Sequence, residues 1–559
     1  MRPSLQRTAT LLALLLCCVV AWTWTGVHWG WVDDVLRGAH MFGHFSVPDM
    51  FRTNPGDLTL DAQFVAVFQR LVPSLNMHGV VYISAIALSG LVLFRLAASG
   101  RSSVLRWSRY LITSLLILSS LHELTFTRVS LILCVAGSAW IVERQGIRAW
   151  LVSIPLMLYA LMVRSLAVAF AAPILGLAVW AVTRSMGPRL RFAGLLVGLV
   201  PVVISLNRTV ESRAYVEHRD ELITLLYMLD TQEWLPMHSG LTHELSERDE
   251  LLVYGLSTWF FFDRDAYDEA FLQRALQAYR RNALSPWQSL RVEIWKAGGR
   301  YDHRPWKRWL WPFVMILLLP LLASLLGRRS AWHRIVPFTI AVLLTLVVVG
   351  GVHKLEDRAV LPALSGAVFL LCGATWWSGR AKFILLAGFS ILLLWRGAQM
   401  IDDRKVLDAE LAAKRAWLNE VDRSRDGLFV YDLWTMTLMH GRPWERVSFS
   451  EGSGRHIVFG EGWMNIVPAH RALLRELTGS TSFDAFLDHL WDERHRTELV
   501  LTDLRADFLE RYLQEVKGRP WCLEVLPERT AIERCDWSFT WSALPKHHYR
   551  IHSCPASDP

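Results

Sequence analysis

The chain has 559 residues, 52% of them hydrophobic and only 20% charged, with a mean hydropathy of +0.26. That balance excludes an ordinary soluble protein of this length. The formal net charge of +8 sits mostly in short loops between apolar runs, and no helix-turn-helix, zinc-finger or RNA-binding pattern accompanies it, so nucleic acid is not an expected partner.

From the N-terminus, Met1 to Val20 has the outline of a signal peptide, with Arg2 and Arg7 ahead of a short apolar core. No small-x-small cleavage site follows and the run continues through Trp24, so it reads as an uncleaved first span. Further apolar runs at 78–98, 108–124, 129–143, 147–163, 166–183, 192–207, 309–327, 335–352, 359–377 and 382–398 join the first, at 9–26, to predict about eleven spans. Several are shorter than a full crossing and are expected to be tilted, broken or re-entrant. Twenty-seven Trp residues fit two interfacial belts. Basic clusters (Arg2 and Arg7; Arg95 to Arg109; Arg144 and Arg148; Arg184 to Arg191; Arg328 to Arg334; Arg380 and Lys382) fall in alternate loops. The positive-inside rule assigns those loops to the cytoplasm. Residues 27–77, 208–308, Gly350–Arg358 and the C-terminal tail then lie outside. The expected location is a membrane of the bacterial inner-membrane type, with a cytoplasmic N-terminus.

The expected fold is a polytopic α-helical membrane protein with an extracytoplasmic helical loop segment and a small C-terminal α/β or α+β domain. The expected units are a membrane bundle at 1–207 with an outer loop at 27–77, the loop segment at 208–308, a second bundle at 309–398, and a mixed domain at 399–559. Within the loop segment, Glu221–Leu229 and Glu269–Arg280 have helical periodicity. Trp259-Phe260-Phe261-Phe262-Asp263-Arg264-Asp265 places aromatic rings beside charges, either in a membrane interface or in a small helical cap. In the tail, Asp408–Val421 and Phe508–Val516 read as helices, Leu428–Tyr431 and Leu499–Leu501 as buried strands, and Cys522–Leu526 with Thr530–Arg534 as a hairpin. Cys17, Cys18, Cys134 and Cys372 are expected to be buried apolar residues, and a Cys522–Cys535 disulfide is plausible if the tail meets an oxidising compartment.

Two stretches carry candidate chemistry. Asp33 and Asp34 stand at the mouth of the first span, in a loop that also holds His40. A carboxylate beside a second carboxylate and partly withdrawn from water has a raised pKa, which suits a general base; a solvated loop start or helix N-cap is the alternative. The second stretch is Gly350-Gly351-Val352-His353-Lys354-Leu355-Glu356-Asp357-Arg358-Ala359-Val360-Leu361-Pro362. Basic groups on the outward side call for an anion, such as a lipid phosphate, or else pair with Glu356 and Asp357. Arg128 and Arg164 each interrupt apolar sequence on the same side, where a charge faces a cavity or a partner, or snorkels to the headgroups.

Asp33–Asp34 and His353–Pro362 together resemble the GT-C-type integral membrane glycosyltransferases. The late loop is similar to the His-Lys-Glu-x-Arg-Phe signature of their polyprenol-linked α-mannosyltransferase branch. Arg358 is one position too far from His353, and Ala359 replaces the aromatic residue. The resemblance implies transfer of a sugar from a polyprenyl-phosphate donor on the outer face, in contact with membrane lipid. Asp33 or Asp34 would be the catalytic base, and His353, Lys354, Arg358, Arg128, Arg164 and His40 would bind substrate. No cofactor is demanded; no metal ligands are assigned, and a divalent metal stays open. Two other readings stand beside this one. An O-antigen polymerase or ligase would depend on Arg208, Arg213 and Arg219. A non-catalytic envelope-assembly protein would depend on the tail. A transporter is disfavoured because the chain lacks paired Gly/Pro-broken halves.

Overall fold

Apolar helices dominate the computed structural model, which describes residues 3–29, 60–100, 102–210, 245–257, 263, 265–281, 285, 287–288, 307–325, 329–352, 357–374, 376–423, 427–431, 442–445, 455–458, 474–529 and 545–554. Among the described residues seven helices are long and apolar enough to cross a membrane. The chain is thus a helical membrane protein with a small sheet domain near its C-terminus.

The order begins with α1 (Pro3–Val20), a wide turn at Ala21–Thr25, and the short strand β1 (His28–Trp29). There follow α2 (Leu60–Leu71), α3 (Met77–Ala98), α4 (Ser103–His122), strand β2 (Glu123–Leu124), α5 (Phe126–Glu143), α6 (Ile147–Val182) and α7 (Met186–Val210). Beyond them lie α8 (Glu247–Ser257), α9 (Glu269–Arg281), α10 (Lys307–Leu325), α11 (Arg329–Val352), α12 (Asp357–Leu371) and α13 (Gly379–Arg423). Side chains start several of these helices: Asn76 accepts from the N–H of Gly79 and Thr125 from that of Arg128, which satisfies donors that a helix start leaves unpaired. Apolar on nearly every side, α5 lies at the centre of the bundle core, with Leu131, Ile132 and Val135 fully enclosed.

Helix α6 is two helices. Its 36 residues would extend about 54 Å if straight, yet both of its ends lie at the same end of the bundle. Arg191, just past its C-terminus, donates to the carbonyls of Ile141 and Val142, which precede its N-terminus, and Arg189 donates to that of Trp180. The chain reverses at Arg164, whose backbone is extended (φ −161°, ψ 92°). Ser130 of α5 holds this break by donating to the carbonyls of Ala160 and Arg164.

The end of the bundle that holds the start and finish of α6 is closed by arginines on main-chain carbonyls. Arg109 donates to the carbonyls of Phe369 and Leu96 and pairs with Glu143, while Arg334 donates to that of Ala181. Cations at helix C-termini satisfy unpaired carbonyls and meet the negative end of the helix dipole.

Helix α13 runs 45 residues from the bundle into the C-terminal domain. One rigid element thus crosses the boundary that the sequence places at 398/399. Beyond it come β3 (Leu428–Tyr431), β4 (Arg455–Val458), α14 (Phe483–Asp492), β5 (Thr497–Thr502), α15 (Asp503–Arg511), β6 (Trp521–Val525) and β7 (Lys546–Ser553). The sheet order is β4-β3-β5-β7-β6, with β4, β3 and β5 parallel and β7 and β6 antiparallel to their neighbours. Leu428–Tyr431 is buried along its whole length, as a strand covered on both faces requires. The helix expected at Phe508–Val516 starts earlier, at Asp503, because Thr502 caps it; its last five residues widen into a π-turn.

The expected disulfide changes partner. Cys522 bonds to Cys554 and not to Cys535, because β6 lies against β7 and pairs Cys522 with His552 near the Cys554 end. The strand expected at Cys522–Leu526 is present as β6 and takes β7 as its partner; Thr530–Arg534, the other arm of the expected hairpin, lies outside the described residues.

The loop segment and the tail share one core. Leu251, Leu252 and Leu256 of α8 and Phe271, Leu272 and Leu276 of α9 bury with Phe508, Leu509 and Tyr512. Buried Asp263 accepts from Tyr512 Oη at 2.5 Å and pairs with Lys517 at 2.6 Å. This domain is also joined to the bundle. Trp444 stacks on Trp22 with ring centres 4.4 Å apart, and its carbonyl accepts from the N–H of Asn76. The backbone of Pro443 approaches Gly79 so closely that any Cβ there would collide with its carbonyl.

Candidate functional site: an arginine cluster at one end of the bundle

The candidate site lies at the end of the bundle opposite the Arg109–Glu143 pair. Its frame is the parallel pairing of β1 with β2, which sets His28 beside Glu123 and Trp29 beside Leu124. This short ladder ties the exit of the first helix to the connection between α4 and α5. The Glu-Leu-Thr-Phe-Thr-Arg run leaves α4, passes through β2 and enters α5 under the Thr125 cap. Glu123, Phe126, Thr127 and Arg128 are thereby presented within one tight reversal.

Arg128 is 1% exposed. Its Nη2 meets Glu123 Oε2 at 2.5 Å and its Nη1 donates to the carbonyl of Ser119 at 2.6 Å. Glu123 also faces Arg396 of α13, with Nη2 to Oε1 at 3.5 Å. Arg396 is 5% exposed and donates from Nη1 to Gln399. Two buried guanidinium groups from distant parts of the chain thus share a single carboxylate. A charge held this far from water persists only when paired and hydrogen-bonded.

Phe126 gathers two more cations. The Arg164 guanidinium lies 4.5 Å from the ring centre and that of Arg358 lies 5.7 Å from it. Arg164 also donates from Nη1 to Thr127 Oγ1 at 2.5 Å. It reaches this position because α6 reverses there; Arg358 reaches it from the first turn of α12. Both ride on an aromatic face, which attracts a cation through the ring quadrupole.

A histidine pair lies beside the cluster. His122 Nδ1 is 2.7 Å from the carbonyl of Thr25, and its Nε2 is 3.8 Å from Asp403. His28 meets His122 edge-on with ring centres 6.0 Å apart. Burial, reinforced by His122, pushes the His28 pKa down to about 3, so the His28 ring is neutral near pH 7.

The structure therefore brings together Arg128, Arg164 and Arg358, which lie far apart in sequence. Asp33, Asp34, His40, His353 and Lys354 lie outside the described residues. Sequence reasoning missed Glu123 as the shared counter-charge, along with Arg396, His122 and Asp403. Arg396 carried a legible signal, since a lone arginine after Leu392-Leu393-Leu394-Trp395 is costly unless it faces a partner. Among the described residues no cluster of His, Cys, Asp and Glu is arranged to hold a metal ion.

No protein-family model matches the chain, and no curated protein or solved structure matches it.

Proposed function

We propose that this chain is a membrane glycosyltransferase of the GT-C kind, which moves a sugar from a polyprenyl-phosphate donor to an acceptor at the extracytoplasmic face. The observation that carries the reading is the placement of Arg164 and Arg358 on Phe126, next to Arg128. Beside them, the guanidinium groups of Arg128 and Arg396 meet Glu123. A gathering of guanidinium groups suits a phosphate or diphosphate headgroup, whose oxygens their N–H forks match bidentately. Arg164 and Arg358 would receive the donor phosphate, while Arg128 and Arg396, already engaged with Glu123, would hold the frame. Asp33 or Asp34 would take the proton from the acceptor hydroxyl.

Topology is part of the proposal. Counting α6 as two passes, and adding α4 and the shorter apolar helices Val314–Leu325 and Arg358–Leu371 to the long ones, gives eleven crossings. An odd number sends the C-terminal domain to the side opposite the N-terminus. The Cys522–Cys554 disulfide supports an oxidising, extracytoplasmic location for that domain.

The test uses the full chain in lipid nanodiscs. A polyprenyl phosphate should raise the melting temperature, the uncharged polyprenol should not, and Arg164→Gln with Arg358→Gln should abolish the difference. Equal stabilisation by the uncharged lipid would sink the phosphate assignment. Glycan transfer that survives Asp33→Asn, Asp34→Asn and their combination would sink the carboxylate mechanism.

A further inference from the structure

Beneath the Arg128–Glu123 pair, α4, α5 and α12 leave a small cavity whose walls include Leu116, Ser119, Arg128, Leu361, Pro362 and Ser365. Its free space, about 10 Å³ for the centre of a water molecule, is on the order of what one water needs. Two of the bounding residues are serines from different helices, Ser119 of α4 at 5% exposure and Ser365 of α12 at 1%. Among the described residues neither Ser119 Oγ nor Ser365 Oγ has a hydrogen-bond partner. A buried hydroxyl left unpaired costs about 1–3 kcal/mol, and here two of them border the same cavity, whose other walls are largely leucine and proline. Pro362, on the same wall, cannot donate an intrahelical bond, and ordered water recurs beside prolines in membrane helices.

We infer that this cavity is a binding site for one ordered water, held by Ser119 Oγ and Ser365 Oγ beside Arg128. The water joins α4 to α12 one level below the cluster, so the helix that carries Arg358 is tied to the helix that leads into Glu123. Water suits the site better than a halide ion, because the donors of Arg128 nearest the pair are engaged by Glu123 and the Ser119 carbonyl, and a water can both donate to and accept from two serine hydroxyls. The inference does not depend on the transferase reading, since it concerns only the packing below the cluster.

The experiment is cryo-electron microscopy of the full chain in nanodiscs at a resolution that shows ordered water. A density peak within hydrogen-bonding distance of both serine hydroxyls is expected, and it should vanish in the Ser119→Ala, Ser365→Ala double variant. The inference is overturned if no peak is present and each hydroxyl turns onto a carbonyl of its own helix. A peak that persists in the double variant overturns it too, because the serines would then not be what holds it. A melting temperature that falls when gluconate replaces chloride would assign the site to an anion and overturn the water. If the double variant fails to fold, the Ser365→Ala single variant serves, with a displaced or weakened peak as the expected result and an unchanged one as the refutation.

Discussion

Replacing Glu123 by Gln tests the electrostatic frame of the cluster directly. The substitution keeps the volume and one acceptor oxygen, so no cavity opens and the bond from Arg128 Nη2 survives as a neutral one. What is lost is the carboxylate charge that Arg128 and Arg396 share. Removing one partner of a buried ion pair costs about 3–5 kcal/mol, because the remaining charge stays buried and uncompensated. Here two guanidinium groups, at 1% and 5% exposure, lose that counter-charge together, which places the expected loss toward the upper part of that range. The assay is thermal unfolding of the detergent-purified chain followed by size-exclusion chromatography. The apparent melting temperature should fall by roughly 3–4 °C. Adding Arg396→Gln to Glu123→Gln should restore part of the loss, since the double variant removes a stranded cation. A fall below about 1 °C, or no recovery in the double variant, would refute the view that Glu123 is the counter-charge shared by Arg128 and Arg396.

In the C-terminal domain, burial pushes the Glu498 carboxyl up, but the hydrogen bonds from His548 and Arg529 and their charges outweigh it and hold the pKa below its usual value of 4.5. Its contribution to stability is therefore fully present above about pH 4.5 and is lost as the pH falls through the lowered folded value. Glu498→Gln should flatten the acid limb of the melting curve below that usual value, and an unchanged limb would count against the assignment. Cys554→Ser opens a loop with a sequence separation of 32 and should cost the domain about 3–4 kcal/mol, read by chemical unfolding of the full chain; in whole cells, a thiol at Cys522 should become available to a membrane-impermeant maleimide. Trp491 is stacked on Trp521 at 4.8 Å, with Arg494 and Arg519 covering the rings at 4.6 and 4.7 Å. Trp491→Ala should cost about 2–3 kcal/mol from lost stacking, cation–π contact and burial, with Trp491→Phe recovering part of it; a loss below about 1 kcal/mol in the same unfolding assay would mean that the ladder is only a surface arrangement.

Much of the helical layout was legible because apolar runs of span length leave little alternative in a chain this hydrophobic. The reversal at Arg164 was visible as a lone charge between two runs, and Leu428–Tyr431 as a buried strand. Pairings across long separations were not legible. Nothing local in Cys522 distinguishes Cys554 from Cys535 as a partner; the antiparallel pairing of β6 with β7 decides it. Glu123 likewise looks like a loop acid until α13 brings Arg396 to it across 273 residues. The continuity of α13 was hidden by its change of character, apolar through Met400 and charged from Asp402 onward. A change of solvent altered the composition of the helix without ending it.

The two ends of the bundle use arginine in different ways. At the Arg109 end, Arg109, Arg191 and Arg334 finish on main-chain carbonyls of neighbouring helices. Those are caps, fixed in number by the helix ends they serve. At the Glu123 end, Arg164 and Arg358 instead lie against the ring of Phe126. A ring face stabilises the cation through its quadrupole, and Arg164 adds a hydrogen bond to Thr127. The same residue type thus closes helix ends at one end of the bundle and packs on an aromatic ring at the other.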